Sequence, residues 1–302
     1  MEIQNKNFQN QNNLTIVQFE TLKDEGFLFK PAAPAIEKNL LVIKEVSGSG
    51  EVSKLQALNR TRDYLFLMDN EILKGAKQNR VINTSVLIAP GKKTFIDVSC
   101  VERLRWDQTD NNFGISDKPI DIDLRSAKSQ NITESSRGAA NRPSVQGSVW
   151  DMISKKIRAK GANIPTENYE ELLETERSST LDKSAKFDFS PDNNAMAIFV
   201  DRELLCIDIF GNRNVYGYYF PRLREAAVRL LSDTPVKGKM GEAEAFYRLD
   251  DFFDGVNFNN LETKKVSSGT GNIRIGSLNN FTFFDLNYED RNIHTSILKM
   301  NK

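Results

Sequence analysis

Short apolar runs punctuated by proline, glycine and asparagine dominate the first hundred residues. FLFK, NLLVIKEV, YLFLMD, TSVLIA and KTFIDVS all fall between residues 26 and 99. They are rich in β-branched and aromatic side chains, which suit a pleated, half-buried surface, so each predicts a strand. The pattern then changes. Residues 107–144, containing NNFGISDKP and SAKSQNITESSRGAANRPS, carry no apolar period and read as one long polar loop, functional or mobile. From Val145 the apolar positions return at helical spacing. Val145, Val149, Ile153 and Ile157 recur every fourth residue beside Trp150 and Met152, and Gly161 stops the run.

NYEELLETERS predicts a second, short and acidic helix. Ala195–Val200 and residues 204–210 predict a hairpin turning at Asp201-Arg202-Glu203. Pro221 suits the first turn of a helix that reaches about residue 231, with Leu223, Ala226, Ala227 and Leu230 on one face. A helix over 242–252 follows, and TKKV, NIRIGS, FTFFDL and HTSIL predict closing strands. SSGTGNIRIG has no lysine and no following helix, so it reads as a hairpin turn and not a phosphate loop. Strands, then helices, then strands predict an α+β fold with mainly antiparallel sheets and a few packed helices. The amide-rich residues 1–13 are expected to form a disordered tail ahead of one domain over 14–302. FLMDNEIL and IFVDREL both place Asp-x-Glu between apolar runs, with Arg80 and Arg213 following asparagines (Asn79 and Asn212). Two similar β units, or turns that converge on the same residues, both account for this.

Composition narrows the function classes. Forty-one basic and 41 acidic residues cancel, which removes the positive surplus that nucleic acid or an anionic membrane would attract. No run approaches the roughly 18 apolar residues of a membrane span, and MEIQNKNFQNQNN lacks the apolar stretch of a signal peptide. Cys100 and Cys206 sit in apolar runs and are expected to be buried reduced thiols, with the cytoplasm as the address. A single histidine, His294, rules out metal sites built on several imidazoles. No metal and no cofactor is read from the sequence.

The densest chemistry lies over residues 71–106, EILKGAKQNRVINTSVLIAPGKKTFIDVSCVERLRW. Arg80 and Arg105 suit two-pronged contacts to phosphate or carboxylate, and Gln78 and Asn79 suit a ribose or an amide. Trp106 offers a stacking face, and Glu71 and Glu102 offer a carboxylate for a ribose hydroxyl or for general-base work. A second reading stays open, in which Arg80–Glu102 is a salt bridge, Trp106 a core aromatic and Asn79 a turn residue. Asp117, Asp121 and Asp123 are either ligands to a hard cation or solvated acids. Cys100 with His294 is the one Cys/His pairing near a polar motif.

NEILKGAKQNRVINTSVLI with VSCVERLRW resembles the hallmark of the bacterial ADP-ribosylglycohydrolase and rhodanese-phosphatase-associated protein family (ARPP). VQGSVWDMI and LLCIDIFGNRNVYGYYFPRLREAAV fit the same pattern, so the resemblance spans roughly residues 40–300. It implies an α+β domain found beside enzymes that process ADP-ribose, and it carries no catalytic residue with it. The reading that follows is a binding or processing domain for an ADP-ribose- or nucleotide-like ligand. Its ligand residues are Glu71, Gln78, Asn79, Arg80, Glu102, Arg105 and Trp106. The alternative is a non-enzymatic module for a protein partner, with the motif as a buried polar network.

Overall fold

The computed structural model describes residues 2–21, 27–48, 50–107, 110–136, 145–231, 239–265 and 268–301. The run LTIVQFE explains its largest sheet. Leu14 and Ile16 face one core and Val17 and Phe19 another, so strand β2 (Leu14–Glu20) is apolar on both sides and is covered on both. It pairs with β1 (Gln4–Gln11) at the edge of an antiparallel eight-stranded sheet. The loose tail expected of residues 1–13 is therefore corrected. Main-chain pairing holds β1 in place, and the Gln9 side chain exchanges hydrogen bonds with Asp188 O (2.8 Å) and Asp188 N (2.6 Å). Hydropathy cannot see such amide and backbone bonds.

A smaller six-stranded sheet orders β11 (Phe113–Ile115), β7 (Ile72–Gly75), β8 (Arg80–Ile82), β10 (Lys93–Cys100), β5 (Lys54–Asn59) and β4 (Leu41–Glu45). It curls until its edge strands β4 and β11 pack against each other and against helix α1 (Ala33–Glu37). Period-2 alternation sends Leu41, Ile43, Leu55, Ala57, Ile82, Ile96 and Val98 into the barrel-like interior. Three short strands, β3 (Lys30–Pro31), β6 (Leu65–Leu67) and β9 (Val86–Ile88), form a third sheet.

The polar stretch after residue 107 is also corrected. Where described, it holds β11 and helix α2 (Ile122–Ser136), and residues 108–109 and 137–144 lie outside the described residues. α2 buries Arg125, Lys128, Ser129 and Thr133, a polar face that apolar periodicity does not register. Helix α3 (Val145–Lys160) ends at Gly161 (φ 62°) as its spacing predicts. The acidic NYEELLETERS segment divides into α4 (Tyr169–Thr175), whose first turn is capped by Asn168, and α5 (Arg177–Ser184).

The hairpin forms as β12 (Ala195–Val200) and β13 (Glu203–Phe210) in the eight-stranded sheet, turning at Asp201 and Arg202 (φ 48° and 68°). Helix α6 runs over Arg213–Val228, so Pro221 lies inside it and not in its first turn. The Asn212 side chain accepts from Asn214 N (2.9 Å) and Val215 N (3.2 Å). That cap, with burial of Val215, Tyr216, Tyr219 and Phe220, outweighs the roughly 3 kcal/mol that an interior proline costs. Helix α7 (Glu242–Asp254) covers the other face of the large sheet through Ala245, Leu249 and Phe253. Strands β14 (Glu262–Lys265), β15 (Asn272–Leu278), β16 (Phe281–Tyr288) and β17 (Arg291–Lys299) complete that sheet.

Candidate functional site

The alternation that fills the barrel with Ile43, Ile82 and Val98 puts Glu45, Arg80 and Cys100 on the same inner face, two residues further along β4, before Ile82 on β8, and at the end of β10. Arg80 and Cys100 are register partners, so the two motif segments do lie side by side. The result is a polar end to an apolar barrel. Arg80 is fully buried, and its Nη1 donates to Gln78 Oε1 at 2.8 Å. Its Nε and Nη2 meet no hydrogen-bond acceptor among the described residues. The nearest carboxylate is Glu45, with Oε1 3.8 Å from Nη2, and among the described residues both Glu45 oxygens are shielded and without a donor. Burial pulls the Arg80 pKa down, opposed by the charges of Cys100 and Glu45. Burial likewise pushes the Cys100 thiol up, and it donates towards Gln78 Oε1 (3.1 Å) and Glu102 O (2.9 Å).

Trp106 closes this end. Its ring lies 5.6 Å from the Arg80 guanidinium and 5.4 Å from the Lys77 ammonium, and it is 43% exposed. Trp106 is thus a half-exposed cover and not a core aromatic. Gly50 (φ 78°) lies against the cover. A Cβ there would sit 3.0 Å from Lys77 Cδ, 3.2 Å from Trp106 Cζ2 and 3.4 Å from Glu45 Oε2. The left-handed backbone and the close approach both require glycine.

The remaining motif residues form a closed knot beside this covered end. Arg105 grips Glu102 with two bonds, Nε to Oε1 at 2.8 Å and Nη2 to Oε2 at 2.7 Å, which raises the Arg105 pKa. The Asn79 amide nitrogen of the backbone donates to Glu102 Oε2 (3.1 Å), and its side chain donates to Asn168 Oδ1 (3.2 Å). Gln78 Nε2 donates to Arg103 O at 3.3 Å. Arg80 therefore takes Glu45 as its carboxylate neighbour, and Glu102 belongs to Arg105. The contrast in satisfaction is the informative point. A buried polar group left unpaired costs about 1–3 kcal/mol, more when charged, so Arg80 and Glu45 are held at a cost that Glu102 and Arg105 avoid.

Glu71 faces a different environment. Its carboxylate accepts from Met68 N (2.7 Å) and Tyr219 Oη (2.9 Å), and burial pushes its pKa up to about 7. It shares no hydrogen bond or ion pair with Arg80 or Glu102 among the described residues.

A second polar centre escaped the sequence reading. Arg125 on α2 donates to Asp69 (2.8 Å from both Nε and Nη2), Asp208 (2.8 and 2.6 Å) and Ser296 (2.9 Å). Burial opposes ionisation of both aspartates, but Arg125 holds each below its ordinary pKa. Lys128 donates to the carbonyls of Asp69 and Ile82, and burial pulls it down to about 7. His294 lies 3.0 Å from Ser85 Oγ and 3.2 Å from Asp208 Oδ1, so it belongs here and not with Cys100. Asp69 is buried on Arg125 while Asp201 is exposed in a hairpin turn, so the two Asp-x-Glu segments play different parts. The one signal for this centre was Asp208, an acid in the middle of the apolar run LLCIDIF.

Asp117 pairs with Arg177, and Asp121 with Lys156 and Arg229, while Asp123 pairs with Lys156. Each acid is already paired with a cation, Asp121 and Asp123 sharing Lys156, and no group of metal-ligating side chains occurs among the described residues. Clefts of about 670, 290 and 580 Å³ lie elsewhere and are not lined by Arg80, Glu102 or Trp106. Among the described residues, no helix is long and apolar enough to cross a membrane.

The chain belongs to the family of the ARG and Rhodanese-Phosphatase-superfamily-associated Protein domain, whose model matches residues 2–298. The match takes in β1 as well as the motif block. No curated protein and no solved structure matches the chain.

Proposed function

We propose that this chain is a binding or processing domain for an ADP-ribose- or nucleotide-like ligand, received at the Trp106-covered end of the six-stranded barrel. The observation that carries the reading is the Arg80 guanidinium, fully buried with two of its nitrogens lacking an acceptor among the described residues. Such a group supplies planar, charge-assisted donors for a phosphate oxygen. Trp106 gives an aromatic surface for a base, and Lys77 adds an ammonium over its ring. The mouth of a β-barrel is a recurrent place for a ligand. The association of the family with ADP-ribosylglycohydrolase contexts agrees with that chemistry. In this reading Arg80 and Trp106 touch the ligand. Gln78, Asn79, Glu102 and Arg105 fix the surrounding loop, and Glu71, bonded to Met68 and Tyr219, stands apart from the site. A protein-interaction module is favoured instead by the closed Glu102–Arg105–Asn79 knot, which asks for no ligand.

Thermal unfolding with ADP-ribose and with NAD tests this. A ligand at ~100 times its dissociation constant adds about 2.7 kcal/mol. The expected result is a raised melting temperature for the wild type and none for Arg80→Ala, with the unliganded variant still folded. No shift with either compound, together with a collapsed Arg80→Ala, favours the interaction module.

A further inference from the structure

We infer that Glu45 selects the ligand, accepting a sugar diol at the same Trp106-covered end where Arg80 takes the phosphate, so that the site prefers phosphorylated ribose over a bare anion. This rests on the reading above, that the ligand's anion sits on Arg80. The observation is a matched pair of unmet groups. Among the described residues, Arg80 offers two nitrogens without acceptors, Glu45 offers two shielded oxygens without donors, and they stand 3.8 Å apart, too far for a hydrogen bond. An anion alone satisfies only the guanidinium and brings a second negative charge up to Glu45. A ligand carrying an anionic oxygen and neighbouring hydroxyls satisfies both. Carboxylates recognise ribose through this hydroxyl-to-oxygen contact, two lone-pair acceptors meeting two donors.

The surroundings leave Glu45 available for that role. Arg105, another cation of the block, is spent on Glu102. Lys77 lies over Trp106 at 5.4 Å, on the indole and not on the carboxylate. Gly50 keeps the wall beside Glu45 thin, since a side chain there would begin 3.4 Å from Oε2. Neither Glu45 nor Gly50 falls within residues 71–106. Glu45 is the last residue of β4 and the next to last of the run NLLVIKEV, where an acid near the end of an apolar run reads as an ordinary solvated terminus. The curl of the sheet, invisible to periodicity, brings β4 round to β8.

Isothermal titration of the full chain with ADP-ribose and with inorganic pyrophosphate, for the wild type and Glu45→Gln, decides the matter. Selection by Glu45 predicts at least tenfold weaker ADP-ribose binding in the variant. Pyrophosphate binding should stay the same or tighten, because a repelling charge has gone. A Glu45→Asp variant, which keeps the charge, should recover part of the ADP-ribose affinity and guards against a Glu45→Gln chain that fails to fold. If Glu45→Gln shifts both affinities equally, Glu45 is only the counter-ion of Arg80 and the inference fails while the binding function stands. If the wild type binds neither compound, the binding function fails and the inference with it.

Discussion

Asp69 and Asp208 grip one guanidinium from two sides, each placing both carboxylate oxygens within 2.8 Å of the Arg125 nitrogens. Asp208 belongs to the eight-stranded sheet, Asp69 follows β6 of the three-stranded sheet, and Arg125 comes from α2. The contact therefore ties three parts of the fold together. Replacing Arg125 with Met would leave two buried carboxylates facing each other. Loss of one partner from a buried ion pair costs about 3–5 kcal/mol. We expect Arg125→Met to lose at least that much in a urea titration. A loss under 1 kcal/mol would mean that water reaches the aspartates.

Glu71 and Lys128 give stability a minimum near neutral pH. The Glu71 pKa is raised from 4.5 to about 7, so the folded state keeps a proton that the unfolded chain releases. Its contribution is complete below pH 4.5 and is lost as pH rises towards 7. The Lys128 pKa is lowered from 10.5 to about 7, so its contribution is complete above pH 10.5 and is lost as pH falls towards 7. Denaturation midpoints between pH 5 and 9 should dip near 7. Glu71→Gln should flatten the acid side, a change on the order of 3 kcal/mol. An unchanged profile in the variant would show that Glu71 ionises in the folded protein as it does in the unfolded chain.

Both thiols are free and buried. Denatured protein should consume two equivalents of a thiol reagent without prior reduction, and native protein fewer. Burial raises the pKa of Cys100 and of Cys206, which slows the native reaction further because the thiolate is the reacting form. Rapid native labelling of Cys100 would mean that the Trp106 cover opens readily.

Asn168 caps α4, accepting from Glu170 N at 3.0 Å, and also accepts from the Asn79 side chain at 3.2 Å. Asn168→Ala should cost roughly 1–2 kcal/mol, the range for a lost cap with a stranded amide. Asn168→Ser should restore the cap but not the reach to Asn79. A melting temperature for Asn168→Ser equal to that of the wild type would show that the bridge to the motif loop contributes nothing.

Where apolar residues alternate or recur, the elements were legible: the hairpin at Asp201, helix α3 up to Gly161, and the four closing strands. Elements built on polar residues were not. α2 turns Arg125 and Lys128 inward, so its buried face carries the letters of a loop, and β1 is held by glutamine and asparagine. Pro221 misled because a proline's local preference is outweighed by the apolar turn before it. In the candidate site, the adjacency of GAKQNR and SCVERLRW was readable from two polar clusters between strands. The partners were not, because choosing Glu45 over Glu102 for Arg80 depends on sheet curvature, which no local pattern encodes.

His294 is the chain's single imidazole, wedged between the rings of Phe210 (4.6 Å between centroids) and Phe66 (5.4 Å). It thereby acts as a built-in spectroscopic beacon. A long-range proton–nitrogen NMR spectrum should contain one set of imidazole signals, displaced by the ring currents of two aromatic neighbours. Phe210 and His294 belong to the eight-stranded sheet and Phe66 to the three-stranded one. Any loosening between those two sheets should therefore appear as a drift of that one resonance set, without isotope-labelling strategies aimed at single residues.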